Sequence, residues 1–248
     1  LPKEFEELEL LPLGDIHYGS RSCNEEMFNA FSRYVLEKDN RYVILNGDVI
    51  NNNVAGSVGS TFEDKMSPKD QKREMIDLLR PIKNRIICAI SGNHEARTKK
   101  TNDDNPLEDI AYALDLEYRE YDAFLKIKFG KNGGREAKPV VYTVFVTHGF
   151  GGGRLPGSSV NNIEKLTLNC FADIYIMGHV HKKLSYKANY RMPDLYKNVV
   201  RELEMLYVIS SSFQAYDGYA KRKQLRPSAL GVVPIILDGR KKNARAIL

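Results

Sequence analysis

Five apolar runs in this chain each stop on a histidine, aspartate or asparagine beside a glycine, and that pattern restricts the fold more than any other feature. ELELLPLGDIH closes on Asp15 and His17, and RYVILNGD closes on Asp48. RIICAISGNHE closes on Asn93 and His94, PVVYTVFVTHG on His148, and DIYIMGHVH on His179 and His181. Together they hold all five histidines of the chain. Short apolar runs bounded by glycine read as buried strands. If each carries metal-ligand chemistry at its end, the strands must stop at one edge of the molecule, on one convergent site.

The rest of the chain accommodates such a fold. Of 248 residues 42% are hydrophobic and 28% charged, enough apolar material for a sizeable core. No stretch approaches the roughly 18 apolar residues that span a bilayer. The N-terminal LPKEFEELELLPLGD is acidic and lacks the basic-then-apolar signature of a signal peptide. The three cysteines, Cys23, Cys88 and Cys170, are far apart and form no CxxC. They suit a reducing compartment as small buried hydrophobes, and the expected location is the cytoplasm. Net charge is +5, but 14 of the 37 basic residues and only 5 of the 32 acidic ones lie beyond residue 180. A basic final quarter is either a surface facing a polyanion or a solvated lysine-rich face.

The N-terminal half alternates strands and helices. Ser22–Glu25 reads as a capping box before a helix whose apolar face carries Met27, Phe28, Phe31, Tyr34 and Val35. Ser67-Pro68 opens a second helix to about Leu79, and Pro106 opens a third with Leu107, Ile110, Ala111 and Leu114. AFLKIKFG and PVVYTVFVTH flank a turn-rich GKNGGREAK, the pattern of a hairpin. A helix with Ile163, Leu166, Cys170 and Phe171 precedes DIYIMGHVH; LYVISSSF, GVVPIILDG and a short run near Ala244–Leu248 read as strands. Stretches 51–60 and 149–159, rich in Gly, Asn and Ser, read as long loops, each beginning just past a ligand-bearing strand end.

In an extended chain, side chains at i and i+2 point the same way. Asp15 and His17 therefore reach one ion together, and His179 and His181 serve a neighbouring pair. Asn93 and His94 point apart, so that one ligates while the other faces what the metal binds. Gly14, Gly47, Gly92 and Gly178 let the backbone turn sharply at the strand ends. Imidazole mixed with carboxylate and carboxamide oxygen, without thiolate, suits Mn first, with Fe, Zn or Ni as alternatives.

The ordered set GDxH, GD, GNHE, H and GHxH resembles the calcineurin-like metallophosphoesterases, a family that includes protein phosphatases, purple acid phosphatases and repair nucleases. The resemblance spans about residues 13–181. It implies an α/β (α+β) fold, a four-layer sandwich of two mixed β-sheets flanked by helices. Residues 1–248 would form a single domain in which the basic segment from about 181 completes the second sheet. It further implies two divalent ions: Asp15, His17 and His181 on the first, Asn93, His148 and His179 on the second, Asp48 bridging, and His94 as the catalytic histidine. Two such ions about 3.5–4 Å apart lower the pKa of a shared water for in-line attack on phosphorus. Glu95 would orient its neighbour or bond a ligand imidazole. The HGFGGG loop and the YAKRK segment also resemble phage- and prophage-type members.

Two departures bear on the substrate. The protein phosphatases of this family carry an arginine in GDxxDRG, where this chain reads GDVINNN. Arg97 and Arg154 are the arginines that could grip phosphate instead, with solvated loop charges as the alternative. Asn51 and its neighbour Asn52 either bond substrate or turn the chain. YDGYAKRKQLR interleaves tyrosine with basic residues, so Tyr219, Lys221 and Arg222 are candidate contacts to nucleic acid. The expected activity is a phosphodiesterase, including a nuclease. The alternatives are a phosphomonoesterase acting on nucleotides or phosphoproteins and, remotely, a non-catalytic scaffold. The expected partners are a phosphoester substrate and no membrane.

Overall fold

The computed structural model describes residues 5–130 and 139–248. Strand β1 (Glu7–Leu13) leads to helix α1 (Glu25–Leu36). The capping box at Ser22 does not form. Asn24 is the cap, its side chain accepting from the Met27 N–H at 2.9 Å, because Ser22 is drawn into a backbone contact with Ala215. Strand β2 (Arg41–Asn46) is followed by α2 (Pro68–Leu79), which starts where Ser67-Pro68 predicts. Next come β3 (Ile86–Ile90), α3 (Ala96–Asn102), α4 (Pro106–Leu114) and the two-residue β4 (Tyr118–Arg119). Helix α3 escapes sequence reasoning because ARTKKTN has no apolar face.

Strands β5 (Asp122–Lys128) and β6 (Val141–Thr147) pair as the expected hairpin; most of its turn lies outside the described residues. Helix α5 (Pro156–Glu164) begins inside the stretch read as loop, because Pro156 fits its first turn. The helix read over 163–171 is instead the end of α5 and a 3-10 turn (Lys165–Leu168), which leaves Phe171 exposed. Then follow β7 (Ile174–Met177), β8 (Leu184–Pro193), β9 (Val200–Ile209), α6 (Gly218–Arg222), β10 (Ile235–Asp238) and β11 (Ala244–Ala246). The sequence of β8 does carry a signal: Leu184, Tyr186, Ala188 and Tyr190 alternate with polar residues and pack on the core.

Two mixed sheets result, in the orders β11-β10-β1-β2-β3-β4 and β5-β6-β7-β9-β8. The basic C-terminal segment therefore does not simply complete the second sheet. It gives β8 and β9 to the second sheet, but β10 pairs with β1 and β11 with β10 in the first. Alternation along each strand separates three apolar layers. Leu8 and Leu10, Tyr42 and Ile44, Ile174 and Ile176, and Leu206 and Val208 meet between the sheets. Leu11 and Leu13, with Val43 and Leu45, face α1, α2 and α4. Tyr175 and Met177, with Tyr207 and Ile209, face α5. This is the four-layer order helices, sheet, sheet, helix. Among the described residues no helix is long and apolar enough to cross a membrane.

Strands β1, β2 and β3 run parallel, and so do β6 and β7. Their C-terminal ends carry the motif residues, so the two sheets meet at one functional edge. Leu10→Ala, at a fully buried inter-sheet position, should cost about 2–5 kcal/mol in urea unfolding. Ser67→Ala, which removes only the α2 cap, should cost about 1 kcal/mol. Equal effects would contradict the assignment of the inter-sheet core as the main source of stability.

Candidate metal centre

None of the motif residues lies on a strand; each sits one to four residues past a strand end. Asp15, His17, Asp48, His179 and His181 all take positive φ, between 50° and 69°. That region costs a non-glycine residue about 1 kcal/mol or more, and Asp, Asn and His tolerate it best. The pairing of Asp15 with His17 therefore does not come from an extended chain. Both residues are left-handed, while the intervening Ile16 is buried in the core on the helix side. The glycines also act differently from expectation. Only Gly47 has positive φ among the four preceding glycines; the others leave room. A Cβ on Gly92 would lie 2.1 Å from Asp48 Oδ1, and one on Gly178 would lie 2.8 Å from Asp15 Oδ2.

Each aspartate commits one oxygen to a backbone N–H and aims the other into the site. Asp15 Oδ2 accepts from the His179 N–H at 2.9 Å, and Asp48 Oδ1 accepts from the His94 N–H at 2.8 Å. Asp15 Oδ1 is buried without a properly oriented hydrogen bond, although His181 Nε2 is 3.1 Å away. His17 Nε2 lies 3.1 Å from His181 Nε2 and 3.8 Å from Asp48 Oδ2. On the other side Asp48 Oδ2 is 3.3 Å from His148 Nε2, and Asn93 Oδ1 is within 3.1 Å of His148 and 2.7 Å of His179. Buried carboxylates facing several imidazole nitrogens need positive charge to balance them, either protons on the imidazoles or a bound cation.

Among the described residues, three sets of side chains place ligand atoms within 4.8 Å of one another: Asp15, His17 and His181; His17, Asp48 and His94; and Asp48, His148 and His179. The donor set fits divalent metal. His148 Nδ1 donates to the Asn46 carbonyl at 2.8 Å, which leaves Nε2 free to ligate. Burial opposes charge on His148, but Asp48 and Asp15 outweigh it and push its pKa up to about 10. His17 moves well down, by burial and then by the neighbouring His94.

His94 stands apart from its neighbour Asn93, as the sequence predicts. Its Nδ1 donates to the Asn51 carbonyl at 2.6 Å and its Nε2 accepts from Arg97 at 2.7 Å. Glu95 does neither of the things expected of it. Its buried carboxylate accepts from four backbone N–H groups, of Asp48, Val49, Ile50 and Gly92, at 2.8–3.4 Å. It clamps the loop after β2 to the loop after β3. Burial and the Asp48 carboxylate push its pKa up to about 7, against those four donors.

The candidate substrate contacts divide. Arg97 is at the site, held by the Asn51 carbonyl and by Asn53 Oδ1 at 2.7 Å. The Asn51 side chain is not available to a substrate in this arrangement, because its amide is committed to Asp64 at 2.6 Å. Asn52, also buried, bonds the His94 carbonyl at 2.7 Å. Arg154 is exposed on the glycine loop, which Lys182 tethers beside His181 through the Gly153 carbonyl at 2.7 Å. Arg222 is paired in two-pronged fashion with Glu63, and Lys221 with Asp217 at 3.0 Å. Their charge is met within the protein. The Tyr219 side chain lies outside the described ones. Sequence reasoning missed Asn53, Asp64 and Gln71, which form the polar bed under Arg97; no motif marks them, and only the Asn51–Asn53 run hinted at one.

The family model described as calcineurin-like phosphoesterase matches residues 10–211. No curated protein matches at a significant level. Among solved structures, the chain is similar to wild-type Vps29 of Entamoeba histolytica complexed with zinc. The identity is 14% and the TM-score 0.44, over 97% of this chain and 98% of that one. It is similar to a predicted phosphoesterase of Streptococcus pneumoniae TIGR4, at 12% identity and TM-score 0.39, over 98% of both chains. It is also similar to GAP50, the anchor in the inner membrane complex of Plasmodium, at 12% identity and TM-score 0.47, over 97% and 84%.

Glu95→Gln would turn an amide N–H2 toward backbone N–H groups. It should destabilise the metal-free protein by about 1–3 kcal/mol in urea, and weaken Mn2+ binding by about 10–100-fold in calorimetry. Unchanged affinity would contradict the clamp.

Proposed function

The chain belongs to the calcineurin-like phosphoesterase family and is a metal-dependent phosphoester hydrolase; from that premise we propose that it is a two-ion phosphodiesterase. Asp15, His17 and His181 would hold one ion and Asn93, His148 and His179 the other, with Asp48 between them. Manganese suits this set best, since imidazole is mixed with hard oxygen donors. Such ions supply an activated water near neutral pH and offset charge on the phosphoryl oxygens.

The residues of the chain do the rest. Nδ1 of His94 is fixed on the Asn51 carbonyl, so Nε2 is the atom turned to the substrate. Nε2 carries no proton while it accepts from Arg97; once Arg97 turns away, Nε2 takes up a proton from solvent and passes it to the leaving oxygen, returning His94 to its neutral form. Arg97, now hydrogen-bonded to that nitrogen, turns its guanidinium to a phosphoryl oxygen. Arg97 is the observation that carries the diester reading. One guanidinium stands beside His94, while the positions after Asp48 hold Asn51 and Asn52, buried and engaged. A single cation matches the single charge of a diester better than the double charge of a monoester. The net basic charge beyond residue 180 supports a nuclease as the form of this activity. A cytoplasmic location completes the proposal.

With Mn2+ present, bis-4-nitrophenyl phosphate should be hydrolysed in preference to 4-nitrophenyl phosphate, and EDTA should abolish both activities. A strong monoester preference would rule out the diesterase. Single- and double-stranded DNA and RNA on gels test the nuclease form; no degradation with Mn, Mg, Ni or Zn would remove it. His94→Ala should keep its metal content and lose about 10²–10⁴-fold in kcat. Near wild-type turnover in that variant would overturn the assignment of His94.

A further inference from the structure

His17 stands between two other histidines. Its Nδ1 is 3.3 Å from His94 Nδ1, and its Nε2 is 3.1 Å from His181 Nε2. A leaving group protonated by His94 departs on one side of the centre, so the part of the diester that keeps the phosphate has the His181 side. That side is also the more open: the His181 side chain is 36% exposed and that of His94 15%. Three segments border it. One runs on from His181 as Lys182 and Lys183. Another is the glycine loop, whose Gly153 and Leu155 carbonyls accept from Lys182 Nζ at 2.7 and 3.2 Å, with Ser159 Oγ at 2.9 Å. Arg154 lies between those two carbonyls and is exposed. The last is the stretch after α6. The Gly231 N–H on the Ser212 carbonyl at 3.0 Å and the Ser211 hydroxyl on the Ala229 carbonyl hold it beside the end of β9. It brings Arg226 close enough to Lys182 that burial and then the Arg226 charge lower the lysine pKa.

The charge on these segments has one sign. Residues 149–163, 178–193 and 218–237 contain no aspartate or glutamate. Lys221 and Arg222 are met by Asp217 and Glu63. Among the described residues, no carboxylate pairs with Arg154, Lys182, Lys183 or Arg226. A lone exposed cation is ordinarily just solvated. Cations gathered without acids repel one another, and an anion that reaches them relieves that repulsion. Lys182 gives its hydrogen bonds to uncharged oxygens, so it fixes the loop and leaves its own charge uncompensated. The guanidinium groups of Arg154 and Arg226 keep their donors, and a guanidinium fork matches two oxygens of a phosphate.

We propose that Arg154 and Arg226, gathered at Lys182, form a subsite for a second phosphate, so that the diester cleaved is a linkage in a nucleic acid strand whose neighbouring phosphate lies on the His181 side. This rests on the phosphodiesterase reading above. The test uses two pairs of esters at saturating Mn2+, all with 4-nitrophenol as leaving group. One pair is thymidine 5′-(4-nitrophenyl phosphate) with and without a 3′-phosphate. The other is thymidine 3′-(4-nitrophenyl phosphate) with and without a 5′-phosphate. In at least one pair the wild-type protein should favour the second phosphate by about tenfold or more in kcat/KM. That preference should shrink as KCl is raised. With Arg154→Ala and Arg226→Ala combined, the ratio should fall close to one, through KM. Because the ratio is taken within one variant, a general loss of active protein cancels. A ratio near one in both pairs for the wild type, or a preference that survives the double substitution, would overturn the subsite and leave the phosphodiesterase standing. Hydrolysis of none of the four esters would overturn both.

Discussion

The Asp48 carboxylate is the group on which the rest of the site depends. It is buried, its Oδ1 is fixed by the His94 N–H, and its Oδ2 faces the Nε2 atoms of His17, His94 and His148 at 3.3–3.8 Å. Burial alone would favour its neutral form, yet His148 and His94 hold its pKa well below the ordinary carboxylate range. A buried charge is tolerable only with such partners. Because those partners come from three other strand ends, satisfying Asp48 requires both sheets to be in register at one edge.

The surrounding backbone gives up regularity to meet that demand. Left-handed residues at five candidate ligand positions would each cost stability in isolation. What holds them is the combination of two sealed apolar faces per strand and specific anchors: Glu95 gathering four N–H groups, and the His179 N–H on Asp15. Gly92 and Gly178 are small because carboxylate oxygens pass where a Cβ would stand. The strain lies where metal chemistry needs side chains to converge, and the strands behind it carry the stability.

Much of this was legible beforehand. Period-two alternation and continuous apolar runs announced β1, β2, β3, β6 and β7, and the Ser67-Pro68 and Pro106 signals placed α2 and α4. Asp15, His17, Asp48, Asn93, His148, His179 and His181 were all recognisable as strand-end donors. Less legible were elements without a local signature. Helix α3 has no apolar face and starts where Glu95 is clamped. Strand β10 joins the first sheet by pairing with β1 across most of the chain. The basic cluster at 221–222 looked like a phosphate grip but is met by Glu63 and Asp217. Nothing in a charge pattern says which acids will fold back onto it.

The sequence by itself determined the chemistry, because five strand ends can carry imidazole and carboxylate only if the strands stop together. The layers were indicated by the family resemblance, and the alternation of each strand between two buried faces is the physical reason they form. The division of the donors, expected beforehand only from the family resemblance, has its physical cause in the tertiary structure. His179 and His181, two residues apart, go to different sets because one lies against Asn93 and the other against Asp15. The tertiary structure alone turned Glu95 from a neighbour of the site into the clamp on the Asp48 loop. Those outcomes depend on contacts between residues far apart along the chain, and only the packing of the two sheets brings such residues together.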